Sequence, residues 1–284
     1  MFPRPIQERS RSRQLMYKVA LPISLIIWLL PMIAIVATAG RSLSDLNRGN
    51  YWGMPSEWAF IENFAKVFGS SSIGTYLLNS VIITLPSIAG ALFLSTLAGA
   101  GLALYKFRGR FLILALFIAG NFVPFQILMI PVRQLTLALC VYDTYWGVIL
   151  FQIAFQTGFC TFFMRNFIAE LPFELVEAAR AEGVGEWQIL VHIIVPLVRP
   201  ALAALAVLQF TFIWNDFFWP LVVIRTSRLL TPPAGIAFFA NADGGENWGV
   251  VMAAGVVVIT PLLLMFLIAR RHFIASLAQG ATKG

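Results

Sequence analysis

Long apolar stretches, each carrying at most one Asp, Glu, Lys or Arg, alternate with shorter polar segments along the whole chain. A membrane-spanning helix needs about 20 consecutive apolar residues. Six stretches meet that requirement: 19–40, 67–105, 111–132, 144–164, 200–224 and 247–269. The second opens on Gly69-Ser70-Ser71-Ser72-Ile73-Gly74, which reads as a linker, and only the fifth contains a charge, Asp216. The pattern predicts an all-α integral membrane protein of six transmembrane helices, with a long polar loop between the fourth and fifth.

Composition removes the other classes. Of 284 residues, 59% are hydrophobic and 12% charged, whereas a soluble chain carries about 25% charged residues. Too few charges remain to cover a water-facing surface, and the mean hydropathy is +0.82. With 21 Gly, 15 Pro and two cysteines, disordered, collagen-like and disulfide-scaffold readings fail as well. Cys140 and Cys160 suggest no redox centre. The net charge of +7 lies scattered between apolar runs with no basic patch interleaved with aromatic residues, so a nucleic-acid partner is not expected.

The positive charge reads instead as topology. Six spans put both termini on one side, and the side richer in Lys and Arg is cytoplasmic. Arg4, Arg9, Arg11, Arg13 and Lys18, then Lys106, Arg108 and Arg110, then Arg165, Arg180 and Arg199, and finally Arg270, Arg271 and Lys283 make fourteen on the termini side. The opposite loops hold six: Arg41, Arg48, Lys66, Arg133, Arg225 and Arg228. Both termini are therefore expected in the cytoplasm, with a tail at 1–18, a six-span permease domain at 19–269 that includes the loop 165–199, and a second tail at 270–284. A cleaved signal sequence ending in Ala37-Thr38-Ala39 is the competing reading of the start. The 22 uncharged residues of 19–40 exceed a signal core of about 7–15.

Pro31, Pro86, Pro124, Pro131, Pro220 and Pro261 punctuate the spans. In a membrane such residues kink helices where neighbours re-satisfy the freed carbonyls. Small residues in Ser87-Ile88-Ala89-Gly90-Ala91 and Ala98-Gly99-Ala100-Gly101 allow close helix approach.

The loop 165–199 holds five of the thirteen acidic residues, Glu170, Glu174, Glu177, Glu182 and Glu186. Pro172 suits a helix first turn and places Glu174 and Glu177 near its positive end. Gly183 and Gly185 end that helix, and 186–195 can form a second, stopped at Pro196. On the first helix Phe173, Val176, Ala179 and Arg180 share a face, and Ala178 and Ala179 present little bulk, which makes a compact knob for a partner's groove. An amphipathic pair lying on the membrane is the alternative, and the five acids weaken it, because anionic headgroups favour Lys and Arg.

Glu177-Ala178-Ala179, Gly183, and then Ile193, Val195 and Pro196 resemble the EAA motif (EAA, three residues, G, nine residues, I-x-L-P) of permease subunits in bacterial binding-protein-dependent ABC importers, with Val195 in place of Leu. Glu186-Trp187-Gln188-Ile189, the segment 196–202, Trp214-Asn215-Asp216-Phe217-Phe218-Trp219-Pro220-Leu221 and the tail 271–284 narrow the similarity to the smaller, six-span subunit of carbohydrate importers of the maltose-transporter type. The resemblance is specific from about Tyr76 onward, and 41–74 is not diagnostic.

That resemblance implies a bacterial inner-membrane, multi-pass subunit whose EAA loop is a coupling helix docked on an ATP-binding subunit. Glu177 would make the charged contact, Ala178, Ala179 and Gly183 would set the fit and the turn, and Phe173, Val176 and Arg180 would complete the face. It further implies a second permease chain, normally in a heterodimer though a homodimer stays open, two ATPase subunits that bind ATP and Mg, and an extracytoplasmic solute-binding protein. The tail 280–284 would reach between the ATPases, and the loop 231–247, with Gly244-Gly245, would face the binding protein.

In a continuous fifth helix, Asp216 would sit eight residues before Ile224, about 12 Å from the outer end. An ionisable group at that depth needs a wet cavity or a partner. Asn215 and Asp216 are candidates for the translocation path or its gate, in a structural or gating role ahead of direct solute contact. Trp214 and Trp219 suit the interfacial aromatic belt ahead of stacking on a sugar. Gln152 and Gln156 share a face of the fourth span, as helix glue or cavity lining; Asn121 and Gln126 are similarly ambiguous.

No catalytic or metal site is expected. His192 and His272 stand apart from any Cys or His cluster of metal-ligand spacing, no nucleophile–histidine arrangement suggests itself, and the chain lacks G-x-x-x-x-G-K-[ST]. The expectation is an ATP-driven importer subunit for a sugar or sugar-like solute, binding no cofactor itself. The alternatives are the same machinery for a non-sugar solute, or a multi-span membrane enzyme.

Overall fold

The computed structural model describes residues 11–69, 72–236 and 247–281. Among them the chain is all-α, its sole extended pairing an isolated bridge between Arg41 and Trp58. Helices α1 (Arg11–Ala39), α2 (Leu43–Asn47) and α3 (Phe60–Gly69) precede α4 (Ile73–Leu104). α5 (Arg110–Gly120) and α6 (Met129–Ala138) flank a 3-10 turn, and α7 (Tyr145–Ala169) leads into α8 (Phe173–Ala181) and α9 (Glu186–Ile189). A π turn at Leu190–Ile194 joins α9 to α10 (Val195–Leu197), followed by α11 (Arg199–Trp214), α12 (Phe218–Val223) and α13 (Trp248–Ala281).

Four helical stretches among the described residues are long and apolar enough to cross a membrane: Gln14–Ala39, Ile73–Leu104, Tyr145–Ala169 and Trp248–Ile268. Two more result if a bent pair counts as one span, Arg110–Gly120 with Phe125–Ala138 at 90° and Glu186–Leu197 with Arg199–Trp214 at 73°. The apolar stretch 111–132 is thus broken, and 200–224 is broken separately between α11 and α12, contrary to the expectation of continuous helices. In the first, Pro124 has no N–H to continue α5 and disfavours helical backbone at the residue before it. In the second, Pro220 would leave the Asp216 carbonyl without its helical partner, whereas in the first turn of a new helix its missing N–H costs nothing. The chain accordingly stops α11 at Trp214 and restarts at Phe218.

The chain divides into two units, Met1–Ser71 with Phe239–Val257, and Ser72–Phe238 with Val258–Gly284. In the first, the turn after α1 is held by polar groups. The Arg41 guanidinium donates to the carbonyls of Asn50 and Gly53, the Asp45 carboxylate accepts from the backbone and hydroxyl of Ser56, and the Asn63 amide donates to the carbonyls of Ala39 and Arg41.

In the second unit α4 and α7 pack along their lengths, with α11 across them. Small residues permit the approach: a Cβ on Gly99 would lie 2.9 Å from the Arg165 backbone nitrogen and from Met164 Cβ. Two apolar clusters result. One gathers Ile83, Val148, Ile149, Ile213 and Val223, and the other joins Met164, Ile168 and Leu205 to Val176, Ile189 and Ile194 of the segment between α7 and α11. The second cluster is what fixes that segment to the membrane helices.

Candidate functional site

Pro172 precedes α8, whose first turn carries Glu174. The helix ends because Gly183 adopts φ +78°, in the left-handed region. The Gly183 N–H then donates to the Arg180 carbonyl and the Val184 N–H to the Ala179 carbonyl, both at 3.0 Å. This is the glycine-dependent Schellman ending. Beyond the elbow, Gln188 Oε1 accepts from the Gly185 N–H and α9 begins. Pro196 does not stop this second helix, as the sequence suggested. The wider π turn at Leu190–Ile194 accommodates the missing proline N–H, and the helix runs on through Leu197.

The two faces of α8 are differently employed. Val176 and Ala179 are buried, packed with Met164, Ile189 and Leu205. Phe173 (42% exposed), Glu174, Glu177 and Ala178 are exposed. Of the expected face of Phe173, Val176, Ala179 and Arg180, apolar Val176 and Ala179 are drawn into the chain's own core, and the exposed side of the helix lies around Phe173, Glu177 and Ala178. Arg180 is also turned inward. Its Nε and Nη2 donate to the Glu186 carboxylate at 2.7 and 3.1 Å, and its guanidinium lies 5.4 Å from the centre of the Tyr105 ring. The Tyr105 hydroxyl donates to the same carboxylate at 2.5 Å. These hydrogen bonds, that from Arg180 foremost, hold the Glu186 carboxyl below its ordinary range against a small opposing effect of burial. The triad links α8, α9 and the end of α4, and Tyr105 and Glu186 had no assigned role in the sequence.

A second constellation lies where α11 breaks. A cavity of 640 Å³ opens among α7, α11 and the end of α5, with polar groups from Asn121, Gln152, Gln156, Asn215 and Asp216. Asp216 is not midway along a helix. It follows the end of α11, and its Oδ1 accepts from the backbone N–H groups of Phe218 (3.0 Å) and Trp219 (3.3 Å), starting α12. Its Oδ2 accepts from Gln152 Nε2 at 2.5 Å, and Gln152 is buried. Gln152, Gln156, Asn215, Asp216 and Trp219 are thus brought together around one cavity. Trp214 is not among its lining: it is 2% exposed and its indole N–H donates to the Val258 carbonyl at 3.0 Å. Trp219 is 4% exposed and packs against Phe151 with ring centroids 3.7 Å apart and planes tilted by 40°. Both indoles are thus packed against neighbouring helices of the same chain.

On the far side of the break, two further polar residues hold the segment that follows α12. Asn79 Nδ2 donates to the carbonyls of Arg228 and Leu230 while its Oδ1 accepts from the Tyr145 hydroxyl. Asp143 accepts from the backbone of Arg225 and Thr226 and from the Thr226 hydroxyl. Neither was singled out in the sequence, although an asparagine inside the apolar stretch 67–105 is itself a signal of helix bonding. The loop 231–247 lies outside the described residues from 237 to 246, as do the residues 282–284 of the tail.

A sequence model of the family described as "Binding-protein-dependent transport system inner membrane component" matches residues 91–279. The chain is 35% identical over 257 residues to the arabinooligosaccharides transport system permease protein AraQ of Halalkalibacterium halodurans, covering 89% of this chain and 91% of that one. It is 29% identical to the diacetylchitobiose uptake system permease protein NgcG of Streptomyces coelicolor, covering 90% and 86%, and 31% identical to the trehalose transport system permease protein SugB of Mycobacterium tuberculosis, covering 90% and 93%. In fold it resembles a chain of a bacterial ABC transporter involved in the import of the acidic polysaccharide alginate, with a TM-score of 0.78, 24% identity and coverage of 93% of this chain and 99% of that chain.

Proposed function

The chain belongs to the family of binding-protein-dependent transport system inner membrane components, and from that premise we propose that it is the permease subunit of an ATP-driven importer for a neutral sugar or oligosaccharide. Saccharide names recur among its relatives. The observation that carries the reading is the two-faced α8: its inner residues Val176 and Ala179 are continuous with Met164 of α7 and Leu205 of α11, while Phe173, Glu177 and Ala178 stand free. A load applied to the free face is transmitted to the membrane helices through close-packed side chains rather than through a flexible loop.

In this reading, residues 165–199 are the coupling loop, and an ATPase subunit receives the free face of α8, with Glu177 as the charged contact. Closure of two ATPase subunits around ATP and Mg tilts the helices, and access to the cavity at Asp216 alternates between the two sides of the membrane. A second permease chain completes the pore, an extracytoplasmic binding protein delivers the solute, both termini lie in the cytoplasm, and the permease domain occupies 19–269. This chain carries out no catalysis and holds no metal.

The test is purification from detergent-solubilised membranes with and without Glu177→Lys, followed by mass identification of what copurifies. An ATPase and a second permease with the native chain, and depletion of the ATPase by the substitution, are the expected result. Purification of the chain alone in both cases overturns the reading and reopens that of a membrane enzyme.

A further inference from the structure

We propose that the cavity at the α11–α12 break is a saccharide subsite, so that this chain itself contacts the solute in the membrane rather than only walling the passage. The inference rests on the importer reading and adds to it which chain and which groups hold the sugar.

The polar groups around the cavity divide into those already committed and those free. Asp216 is committed: both its oxygens accept from donors of the protein, three in all, from Gln152, Phe218 and Trp219. Gln152 Nε2 is committed to Asp216 in turn. Gln156 lies one turn further along α7, is half-buried, and no side-chain hydrogen bond engages its amide, which leaves both its donor and its acceptor to the cavity. Asn215 and Asn121 each spend an Nδ2 on a carbonyl one turn back in their own helices, Thr211 and Phe117, and keep their Oδ1. The free set is therefore neutral, offering both donor and acceptor atoms, as hydroxyl groups require.

The remaining wall is aromatic. Phe155 and Phe159 on α7 and Phe212 on α11 line the same space, with Phe217 at the break. Phe212 and Phe217 are 56% and 54% exposed, so their faces are not consumed by packing. Flat apolar faces beside a few neutral hydrogen-bonding groups suit a pyranose or furanose ring, whose C–H faces are apolar and whose hydroxyls lie around its edge. A cation would want an unspent carboxylate, and an anion a Lys or Arg; the lining offers neither. The volume of 640 Å³ falls inside the range of about 300–1,000 Å³ for small-molecule sites. Asp216 is then a positioning residue, which sets the backbone that aims Phe217 and Phe218 and does not itself touch the sugar.

The experiment uses the assembled importer with its own ATPase, second permease and binding protein, reconstituted in liposomes. Uptake of radiolabelled arabinotriose, diacetylchitobiose and trehalose identifies a transported saccharide, and its diazirine derivative is then photolysed during turnover. Expected is covalent addition to this chain within 152–159 or 208–219, reduced about threefold to tenfold by Gln156→Leu, the consequence of one lost hydrogen bond, and restored by Gln156→Asn. Phe212→Ala is expected to lower it similarly. Labelling confined to the second permease, or labelling of this chain unmoved by both substitutions, overturns the subsite while leaving the importer reading intact. Absence of uptake of any of the three saccharides by the native complex overturns the sugar reading, and the subsite falls with it.

Discussion

Gln152 of α7 donates through Nε2 to Asp216 Oδ2 at 2.5 Å, and by this contact a membrane helix is tied to the point where α11 stops and α12 begins. The other oxygen of the carboxylate caps the backbone N–H groups of Phe218 and Trp219. Asp216→Ala leaves three donors without an acceptor, at about 1–3 kcal/mol for each that stays dry. The purified importer is expected to unfold at a lower temperature and to lose uptake. Asp216→Asn keeps an acceptor for the cap and is expected to fall between the two. Thermal denaturation followed by tryptophan fluorescence, with transport measured on the same preparations, checks the order. Equal stability of all three proteins would refute the capping role.

Gly183 gives the second expectation. At φ +78° and with nothing within 4 Å of a would-be Cβ, the residue is glycine for its backbone and not for lack of space. Ala or Val there meets the left-handed penalty of about 1–2 kcal/mol, while Asn is tolerated better. Gly183→Val is expected to insert in the membrane normally but to loosen the end of α8 and weaken transport, and Gly183→Asn to retain most of it. Membrane content by immunoblot and uptake per inserted molecule separate the two effects.

How much of this was legible beforehand follows from which forces write themselves into local sequence. Apolar runs and the Pro172, Gly183 and Gly185 signals depend on near neighbours, and α1, α4, α7, α8 and α13 formed where those signals lie. The breaks at 121–124 and 215–217 were hidden, because a proline in an apolar stretch kinks one helix or ends another depending on what caps the freed groups. At Asp216 the cap is a side chain two residues past the end of α11, steadied by Gln152 from 64 positions away. The inward turn of Arg180 was likewise invisible: its partner Glu186 lies across the elbow and its ring partner Tyr105 just past the end of α4. The cavity residues Gln152, Gln156, Asn215, Asp216 and Trp219 could be nominated singly as polar or aromatic groups in apolar surroundings. Only the fold shows that they share one space and that Trp214, five residues from Trp219, does not.

The Arg180–Glu186–Tyr105 triad carries a pH expectation. The Glu186 carboxyl sits below its ordinary value in the folded chain, so the stabilisation is fully present above the unfolded pKa, about 4.3, and is lost as pH falls through the lower folded value. The pair is partly exposed, with side chains 29% and 48% accessible, and its contribution is modest, on the order of 0–1 kcal/mol. Hydrogen-exchange protection over 173–189, corrected for the intrinsic slowing of amide exchange toward acid and measured in nanodiscs at pH 7 and on brief transfer to acid, is expected to fall once pH drops below that range. Glu186→Gln is expected to flatten this response, and an unchanged acid response in Glu186→Gln would rule the triad out as its source.

Asp143 carries the last expectation, on the segment after α12. Its backbone is left-handed at φ +59°, a conformation that Asp and Asn adopt more readily than other side-chain-bearing residues. Its carboxylate gathers the N–H groups of Arg225 and Thr226 and the Thr226 hydroxyl, each at 2.7–2.8 Å. These bonds, that from the Thr226 backbone foremost, lower the Asp143 pKa despite some burial. Asp143→Ala combines a strained backbone with three unmade hydrogen bonds, and the exchange of amides 225–230 is expected to accelerate at least severalfold. Asp143→Asn keeps the backbone preference and one acceptor oxygen, and the acceleration is expected to be smaller. If this clamp steadies the outer segment for the delivering protein, the stimulation of ATPase activity by binding protein falls in the order native, Asn, Ala, while the activity without binding protein is unchanged. Faster exchange without loss of stimulation would confine Asp143 to local structure.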